Sequence, residues 1–112
     1  MWIAWQYRQV WDDLYARCDE ATRIMLDYRL DLLTEKGNLA RRPISAHLDD
    51  GIFELRAKSA RMLFYFGETR AIVFAHCIFK STAKIPREDI KLAQRRRSEI
   101  RNTREKLNAL PN

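Results

Sequence analysis

Three runs of aromatic and β-branched residues in the middle of the chain predict three β-strands. They cover residues 52–57, 62–66 and 71–79, and residues of these types suit a pleated, half-buried surface. The spacers at 58–60 and 67–69 are short enough for hairpins. The pattern therefore predicts an antiparallel sheet in which consecutive strands are neighbours.

Polar and apolar residues alternate along the first of these runs. Glu54 and Arg56 alternate with Phe53 and Leu55, and successive side chains of a strand point to opposite faces of a sheet. We therefore expect Glu54 and Arg56 on a polar face, which is the first place to look for chemistry. Phe53 and Leu55 should lie on the opposite, buried face.

Two helices are predicted before the sheet. A first helix over 8–18 is indicated by apolar residues at helical spacing, namely Trp11, Leu14, Tyr15 and Cys18. A second helix is predicted over 20–36, because Asp19 is a favourable N-cap and Gly37 favours a left-handed stop. Its apolar stripe is predicted at Ala21, Ile24, Met25, Tyr28 and Leu32, widened by Leu26, Leu30 and Leu33.

We expect both helices to pack on the apolar face of the sheet through Trp11, Leu14, Ile24, Met25 and Tyr28. Residues 1–7 alternate in a way that fits either a short edge strand or the first turn of a helix. Residues 38–50 are predicted to be a loop, because they are too polar and too interrupted for a regular element. His47 in that loop is expected at the surface.

A third helix is predicted to begin at Pro86. Proline suits the first helical position, and Glu88 and Asp89 complement the helix dipole there. Ile90, Ala93 and Ile100 form a thin apolar stripe, and basic residues cover the remainder, namely Arg95, Arg96, Arg97, Arg101, Arg104 and Lys106. Residues 102–112 are expected to fray or to contact a partner.

These elements predict one α+β domain over residues 1–112. Its sheet should be antiparallel and twisted, with three to four strands. Two N-terminal helices should pack on one face, followed by a basic C-terminal helix. A chain of 112 residues of which 46% are hydrophobic is large enough for one modest core.

Charge changes the picture in the last third of the chain. Residues 1–79 carry 11 Lys and Arg against 11 Asp and Glu, whereas residues 80–112 carry 10 against 4. A one-sided cationic surface favours a polyanion. Nucleic acid is the first candidate, an acidic protein or a membrane surface is the competitor, and a solvated basic helix without a ligand is the remaining alternative.

Other classes of protein receive little support from the sequence. No apolar signal segment or span of about 20 apolar residues is found, so we expect a soluble, cytoplasmic protein with no membrane contact. Cys18 and Cys77 lie in apolar patterns and are expected to be small buried side chains. No glycine-rich phosphate loop, paired Cys/His spacing or Ser-His-Asp arrangement is present, so no cofactor or metal is implied.

Four segments of the chain form a set of motifs. Residues 51–56 read Gly-Ile-Phe-Glu-Leu-Arg, 61–65 read Arg-Met-Leu-Phe-Tyr, 72–76 read Ile-Val-Phe-Ala-His, and 80–86 read Lys-Ser-Thr-Ala-Lys-Ile-Pro. Over roughly residues 8–100 the chain resembles the phage-derived HigB-like branch of the RelE/ParE toxin superfamily. It departs from that pattern at 77–79 and at Ser81, where a second lysine is usual and one phosphate-binding charge is therefore missing.

The resemblance implies the toxin of a type II toxin–antitoxin system. Such a protein would be a ribosome-dependent mRNA endoribonuclease, or mRNA interferase. A cognate antitoxin, expected to carry a helix-turn-helix, would hold it inactive, with a toxin–antitoxin hetero-oligomer as the expected assembly. We expect the antitoxin to cover the cationic face, because acidic antitoxin surface complements basic toxin surface.

Metal-independent RNA cleavage needs a base for the 2′-hydroxyl, cations for the phosphorane and an acid for the departing 5′ oxygen. Matching the resemblance residue by residue, the candidate cations are Arg56, Arg61 and Lys80. The candidate proton carriers are His76, Tyr65 and Glu54, in an order left open. Further RNA or phosphate contacts are expected at Lys84, Thr82, Arg95 and Arg96.

Several alternatives stay open. His76 lies in an apolar strand and fits a buried histidine as well as a catalytic one, and Glu54 fits an ion pair with Arg56 or Arg61. Arg61 is expected to project from the polar face, so that its truncation removes little core. At the level of function, a ParE-like gyrase inhibitor without nuclease chemistry is the runner-up, followed by a degenerate toxin that only binds nucleic acid.

Overall fold

The computed structural model describes residues 1–103 and 107–110. These residues form three helices, α1 (Val10–Ala16), α2 (Glu20–Lys36) and α3 (Arg87–Thr103). They also form six strands, namely β1 (Ile3–Gln6), β2 (Ala46–Asp49), β3 (Ile52–Ala57), β4 (Ala60–Gly67), β5 (Ala71–Phe79) and β6 (Asn108–Ala109). The predicted α+β class is confirmed. None of the described helices is long and apolar enough to cross a membrane.

The strands form one mixed sheet in the order β2-β3-β4-β5-β1-β6. β1 runs parallel to β5, and every other neighbouring pair is antiparallel. The predicted meander is confirmed as β3, β4 and β5, but the prediction of three to four antiparallel strands was wrong in number and in direction. β1 lies inside the sheet, because it pairs with β5 on one side and with β6 on the other.

One face of the sheet packs under α1 and α2. Its core joins side chains of the sheet to side chains of both helices, including Leu55, Met62, Phe64, Phe74, Trp11, Leu14, Leu26, Leu30 and Leu33. Phe53 and Leu55 belong to this face, as predicted. The strand register inferred from the alternation of residues 53–56 is therefore confirmed.

The contact face of α2 differs from the predicted one. Its buried side chains are Thr22, Leu26, Leu30, Leu33 and Thr34. Ile24 and Tyr28 are 62% and 64% exposed, so their predicted packing on the sheet was wrong. The exposed side also carries four carboxylates, Glu20, Asp27, Asp31 and Glu35. Burying that side would desolvate these charges, so the leucine side packs instead.

The second face of the sheet is partly covered by α3. Ile90, Ala93 and Ile100 pack against residues of β4 and β5, as the thin apolar stripe predicts. Two arginines of α3 fasten it to the sheet: Arg96 donates from Nη1 to the carbonyl of Ala75 at 2.8 Å, and Arg97 donates from Nη1 to the carbonyl of Asp50 at 2.6 Å.

Residues 38–50 contain a strand that was not predicted. β2 pairs with β3 through Ala46 and Glu54, and the two strands are joined by Asp50 and Gly51, with φ of 44° and 75°. An Asp-Gly pair with both φ values positive is typical of a tight hairpin. The prediction of an irregular loop was therefore wrong for 46–49, and β2 brings Leu48 to the edge of the α3 face.

The described part of the C-terminal tail is docked. β6 pairs with β1, with Ala109 opposite Trp5, and Leu110 is buried in the core under α1 and α2. The prediction of a frayed tail over 102–112 was wrong for 107–110, and α3 continues to Thr103. Residues 104–106 and 111–112, which include the predicted basic residues Arg104 and Lys106, lie outside the described residues.

Cys18 and Cys77 are free thiols in contact with the same core. Burial raises the pKa of both side chains, which keeps them protonated and poorly nucleophilic at neutral pH. They act as small apolar side chains, as predicted.

Candidate functional site

Glu54 and Arg56 form a buried ion pair on the α3 face of β3. Arg56 donates from Nε to Oε1 of Glu54 at 3.2 Å, and from Nη2 to Oε1 and Oε2 at 3.0 and 3.1 Å. The Glu54 side chain is 3% exposed and that of Arg56 is 28% exposed. The carboxylate is thus fixed by a guanidinium that remains accessible to an anion.

Two further elements hold Arg56. Its Nη2 donates to the carbonyl of Ala83 at 2.7 Å, which ties it to the segment between β5 and α3. On the other side, Nη1 of Arg29 in α2 donates to the backbone carbonyl of Arg56. Glu54 and Ala83 therefore hold the guanidinium and Arg29 holds the backbone of Arg56, which limits the freedom of the side chain before any ligand arrives.

Arg61 lies directly opposite Arg56 on the same face of the sheet, but its side chain is buried. Its Nη1 donates to the carbonyls of Lys58 and Ala60, and its Nη2 donates to the carbonyl of Thr82 at 3.4 Å. Burial lowers the pKa of Arg61, and the charge of Arg56 lowers it further, although a guanidinium stays protonated at any ordinary pH.

Arg61 lies on the polar face, as expected, because it pairs with Arg56 across β3 and β4, but it is not exposed there. The residue is 5% exposed, and its Nε has no hydrogen-bond partner within the described residues. Arg61 fastens the β3–β4 turn to the segment after β5. Truncating it would therefore remove buried hydrogen bonds rather than a surface charge.

Two cavities open on either side of the Glu54–Arg56 pair, and Arg42, Glu54 and Arg56 line both. The larger one, about 480 Å³, extends toward α3, and we call it the α3 arm. The smaller one, about 290 Å³, extends toward α2, and we call it the α2 arm. Because they share these three lining residues, the two cavities are adjacent, and we refer to them together as the cleft.

Five basic residues surround one carboxylate among the described lining of this cleft. They are Arg29, Arg42, Arg56, Lys84 and Arg87, and the carboxylate is Glu54. A concave surface with an excess of positive charge concentrates anions. The cleft therefore favours a polyanion.

Arg29, Arg42 and Arg87 were not among the predicted site residues. Arg42 lies in the segment before β2, and the Asp50-Gly51 hairpin signal would have placed that segment beside β3. Arg87 falls in the first turn of the predicted third helix, and Arg29 falls within the predicted second helix. No local signal identifies Arg29, because it reaches the cleft around the edge of the sheet from the opposite face.

His76 lies on the same face as Glu54 but outside the cleft lining. Glu54, Leu63 and His76 are partners across β3, β4 and β5, so the Cα atoms of Glu54 and His76 are roughly 10 Å apart, or two strand spacings. His76 Nε2 is 2.8 Å from Oδ1 of Asp89. Burial lowers the pKa of His76 against the raising effect of Asp89, so the ring is neutral and anchors the first turn of α3.

Tyr65 is also separated from the Glu54–Arg56 pair. It is buried in the core beneath α3, and burial raises its pKa. The guanidinium of Arg101 lies 5.5 Å from the centre of its ring. Tyr65 lines a different cavity, beside Ile100 and Arg101, so Glu54 is the predicted proton carrier that the structure places in the cleft.

The predicted phosphate contacts and the predicted catalytic cation Lys80 differ in their distance from the cleft. Lys84 is exposed and lines the α3 arm, and Thr82 lies nearby, with its Oγ1 donating to the carbonyl of Lys84 at 3.4 Å. Lys80 is half-buried near His76, whose pKa it lowers. Arg95 is exposed on α3, away from the cleft lining.

The guanidinium of Arg96 is occupied by contacts within the fold. Besides its bond to Ala75, its guanidinium lies 4.8 Å from the centre of the Tyr7 ring. A cation used in this way is poorly placed to bind phosphate as well. The structure therefore brings Glu54, Arg56 and Lys84 together, but not Arg95, Arg96, His76 or Tyr65.

The chemistry available in the cleft is that of a fixed carboxylate and surrounding cations. A carboxylate can accept a proton, and preorganised cations can stabilise negative charge that develops on a phosphate. Within residues 1–103 and 107–110, no group of three His, Cys, Asp or Glu side chains is arranged to hold a metal ion.

Comparisons with known proteins found a similar fold, described next, and a matching family. A chain in the structure "YoeB-YefM complex from Staphylococcus aureus" is similar, with a TM-score of 0.54 over 71% of this chain and 98% of that chain. At 14% sequence identity, this similarity concerns the fold alone. No curated protein matches the sequence significantly. The profile of the family described as "Phage derived protein Gp49-like (DUF891)" matches residues 15–98, and the chain therefore belongs to the Gp49-like family of phage-derived proteins.

Proposed function

We propose that this protein is the toxin of a type II toxin–antitoxin system and that it cleaves ribosome-bound mRNA as a metal-independent endoribonuclease. The observation that carries the proposal is the Glu54–Arg56 pair at the centre of a cationic cleft. Three further points support it: the phage-derived Gp49-like family, a fold shared with a chain of the YoeB–YefM complex, and motifs that resemble the HigB-like branch of RelE/ParE toxins.

The proposed reaction is transfer of the phosphate to the neighbouring 2′-hydroxyl. Glu54 accepts the 2′-hydroxyl proton, the 2′ oxygen bonds to phosphorus, and the bond to the 5′ oxygen breaks. The accessible edge of Arg56 stabilises the charge of the phosphorane. We assign the proton for the 5′ oxygen to Lys84, because the other described cations of the cleft are guanidiniums, which do not release protons.

The proposed partner is a cognate antitoxin with a helix-turn-helix, as the HigB-like resemblance implies. An acidic antitoxin surface would complement the five cations of the cleft and exclude RNA from it. Dependence on ribosomes places the activity in the cytoplasm, which is the location we propose.

The direct test uses purified protein, translating ribosomes and mRNA, with cleavage positions mapped from new 5′ ends. Wild-type protein should cleave the mRNA, and Glu54→Gln should reduce the rate about 10²-fold or more, because general base catalysis typically contributes about 10²–10⁴-fold. Glu68→Gln is the matched control, since Glu68 is exposed in the β4–β5 turn, and it should cleave at the wild-type rate.

Two results would change the proposal. A folded Glu54→Gln protein that cleaves at the wild-type rate would remove Glu54 as the base. A wild-type protein that leaves mRNA intact on ribosomes but blocks supercoiling by gyrase would replace the nuclease with a ParE-like inhibitor, and RNA binding without either activity would indicate a degenerate toxin.

A further inference from the structure

The α3 arm of the cleft combines an apolar floor with a basic rim. Leu48, Ile85 and Ile90 line it, and the two isoleucines are buried. Lys84 and Arg87 stand at its rim and are exposed. Its volume of about 480 Å³ is within the range of small-molecule sites, which runs from about 300 to 1,000 Å³.

The α2 arm has a different character. Three guanidiniums line it, those of Arg29, Arg42 and Arg56, together with Pro43, Ser45 and Ala46. It is also smaller, at about 290 Å³. Fork-shaped guanidiniums are suited to phosphate oxygens. The α3 arm also has three of them, those of Arg42, Arg56 and Arg87, so the two arms differ in their apolar lining. Among the described residues, the α2 arm contains no large aliphatic side chain comparable to Leu48, Ile85 and Ile90.

We propose that the α3 arm holds one nucleobase beside the scissile phosphate and that the α2 arm holds the phosphate of the adjoining nucleotide. This inference rests on the proposed nuclease function. The two arms meet at Glu54 and Arg56, so a strand that lies across both presents its backbone to that pair. Phosphate contacts position an RNA strand, whereas contacts with a base create sequence preference.

Leu48 is the residue of the α3 arm best suited to a test. It lies on edge strand β2 and is only partly buried, whereas Ile85 and Ile90 also support α3. A larger side chain at Leu48 should narrow the arm without opening the core. Ile24 offers a matched control, because it is an exposed aliphatic residue on the opposite side of the molecule.

The experiment compares wild type, Leu48→Phe and the control Ile24→Phe. Cleavage positions on ribosome-bound mRNA give the base preference at each position around the cut. Binding of short 2′-O-methyl RNA oligonucleotides that differ at one base gives the same preference without cleavage. Thermal unfolding of each variant shows whether the fold is retained.

We expect Leu48→Phe to change the base preference at one position next to the cut. It should also weaken binding of the preferred oligonucleotide about tenfold, because small changes in an apolar pocket typically alter discrimination by about 10–200-fold. Ile24→Phe should keep the wild-type preference. If Leu48→Phe fails to fold, Leu48→Ala is measured instead and should broaden the preference by enlarging the arm.

The outcomes separate this inference from the nuclease proposal. A folded Leu48 variant with wild-type base preference and wild-type oligonucleotide affinity would overturn the base pocket and leave the nuclease intact. Displacement of RNA by an acidic peptide, without any dependence on base identity, would overturn it in favour of a peptide site. Base-selective binding that depends on Leu48 in a protein that cleaves no RNA would support the pocket and reject the nuclease.

Discussion

Burial of Glu54 is tolerable because Arg56 neutralises and hydrogen-bonds its carboxylate. An unpaired buried charge would cost several kcal/mol. The two residues are neighbours on one face of one strand, so the alternation of residues 53–56 is sufficient to predict that they lie together. The sequence could not show that their surroundings would be basic, because Arg29, Arg42 and Arg87 come from three distant segments.

For Arg61 the sequence predicted the position in the hairpin but not the burial of the side chain. Its position opposite Arg56 agrees with the predicted hairpin. The buried guanidinium bonds to local carbonyls and also to the carbonyl of Thr82, 21 residues away, and a contact of that last kind leaves no trace in local periodicity. Its role in the fold therefore became visible only from the structure.

We expect Arg61→Ala to destabilise the protein by about 1–3 kcal/mol, because buried carbonyl groups would lose their donor. The exposed residue Arg95 provides the control, and Arg95→Ala should change stability by no more than about 0.5 kcal/mol. Urea unfolding of both variants measures the difference. Equal midpoints for Arg61→Ala and wild type would show that the buried guanidinium contributes little to the fold.

His76 should make stability depend on pH. Burial lowers its pKa in the folded protein, so the unfolded chain binds a proton more readily and stability should fall as pH drops below about 6.5, the ordinary pKa of histidine. Above that pH its contribution is complete. The hydrogen bond and charge of Asp89 raise the pKa of His76 and so oppose the effect of burial. The charges of Arg96 and Lys80 lower this pKa further.

The measurement is the change in urea midpoint between pH 7.5 and pH 5.5 for wild type and His76→Gln. The variant should lose part of the pH dependence and, because His76 lies outside the cleft, should still cleave RNA at neutral pH. Equal pH dependence in the two proteins would show that His76 does not titrate in this range.

At the scale of elements, the predictions succeeded where the residues of an element determine it and failed where it depends on distant partners. β3, β4 and β5 are long alternating runs joined by short turns, so their own residues determine them. β1 and β6 have four and two residues and exist because partners far along the chain pair with them. β2 stands between these cases, because its Asp50-Gly51 turn is a local hairpin signal that was interpreted only as a loop.

Helix α2 shows why an apolar stripe must be weighed together with charge. Apolar residues occur on most of its circumference, and the choice between two stripes depends on where its carboxylates lie. Asp19 begins the helix as predicted, accepting the N–H of Thr22 at 2.8 Å, which lowers the pKa of Asp19. Local capping chemistry was thus predictable, whereas the rotation of the helix required the charge argument.

Substitutions on the two sides of α2 should differ sharply in their effect. Leu26→Ala should cost about 2–5 kcal/mol, because Leu26 is fully buried in the core and its truncation leaves a cavity. Ile24→Ala should change stability by about 0.5 kcal/mol or less, since that side chain is mostly exposed. Chemical denaturation provides both values, and a larger loss for Ile24→Ala would mean that this side of α2 is buried after all.

At the scale of the molecule, the sheet separates two surfaces of opposite charge. The outer side of α2 exposes four carboxylates, Glu20, Asp27, Asp31 and Glu35, whereas the cleft on the other side is lined by five cations. The outer side of α2 and the cleft therefore differ in the sign of their charge, and we call this difference the charge polarity. Such a field orients an approaching polyanion toward the cleft and away from α2.

This polarity predicts how the proposed antitoxin should bind. If an acidic antitoxin surface covers the cleft, its affinity should fall by about tenfold or more as salt rises from 0.05 to 0.5 M, because the screening length shortens well below about 10 Å over that range. Lys84→Glu should weaken the complex further and reduce its sensitivity to salt, since Lys84 lines the cleft. Lys36→Glu is the matched control, because Lys36 is an exposed lysine at the end of α2, and its effect should be small. Titration calorimetry at the two salt concentrations gives these affinities.

An affinity that salt and Lys84→Glu both leave unchanged would show that apolar contacts away from the cleft hold the antitoxin. The exposed Ile24 and Tyr28 on α2 would then be the first residues to mutate.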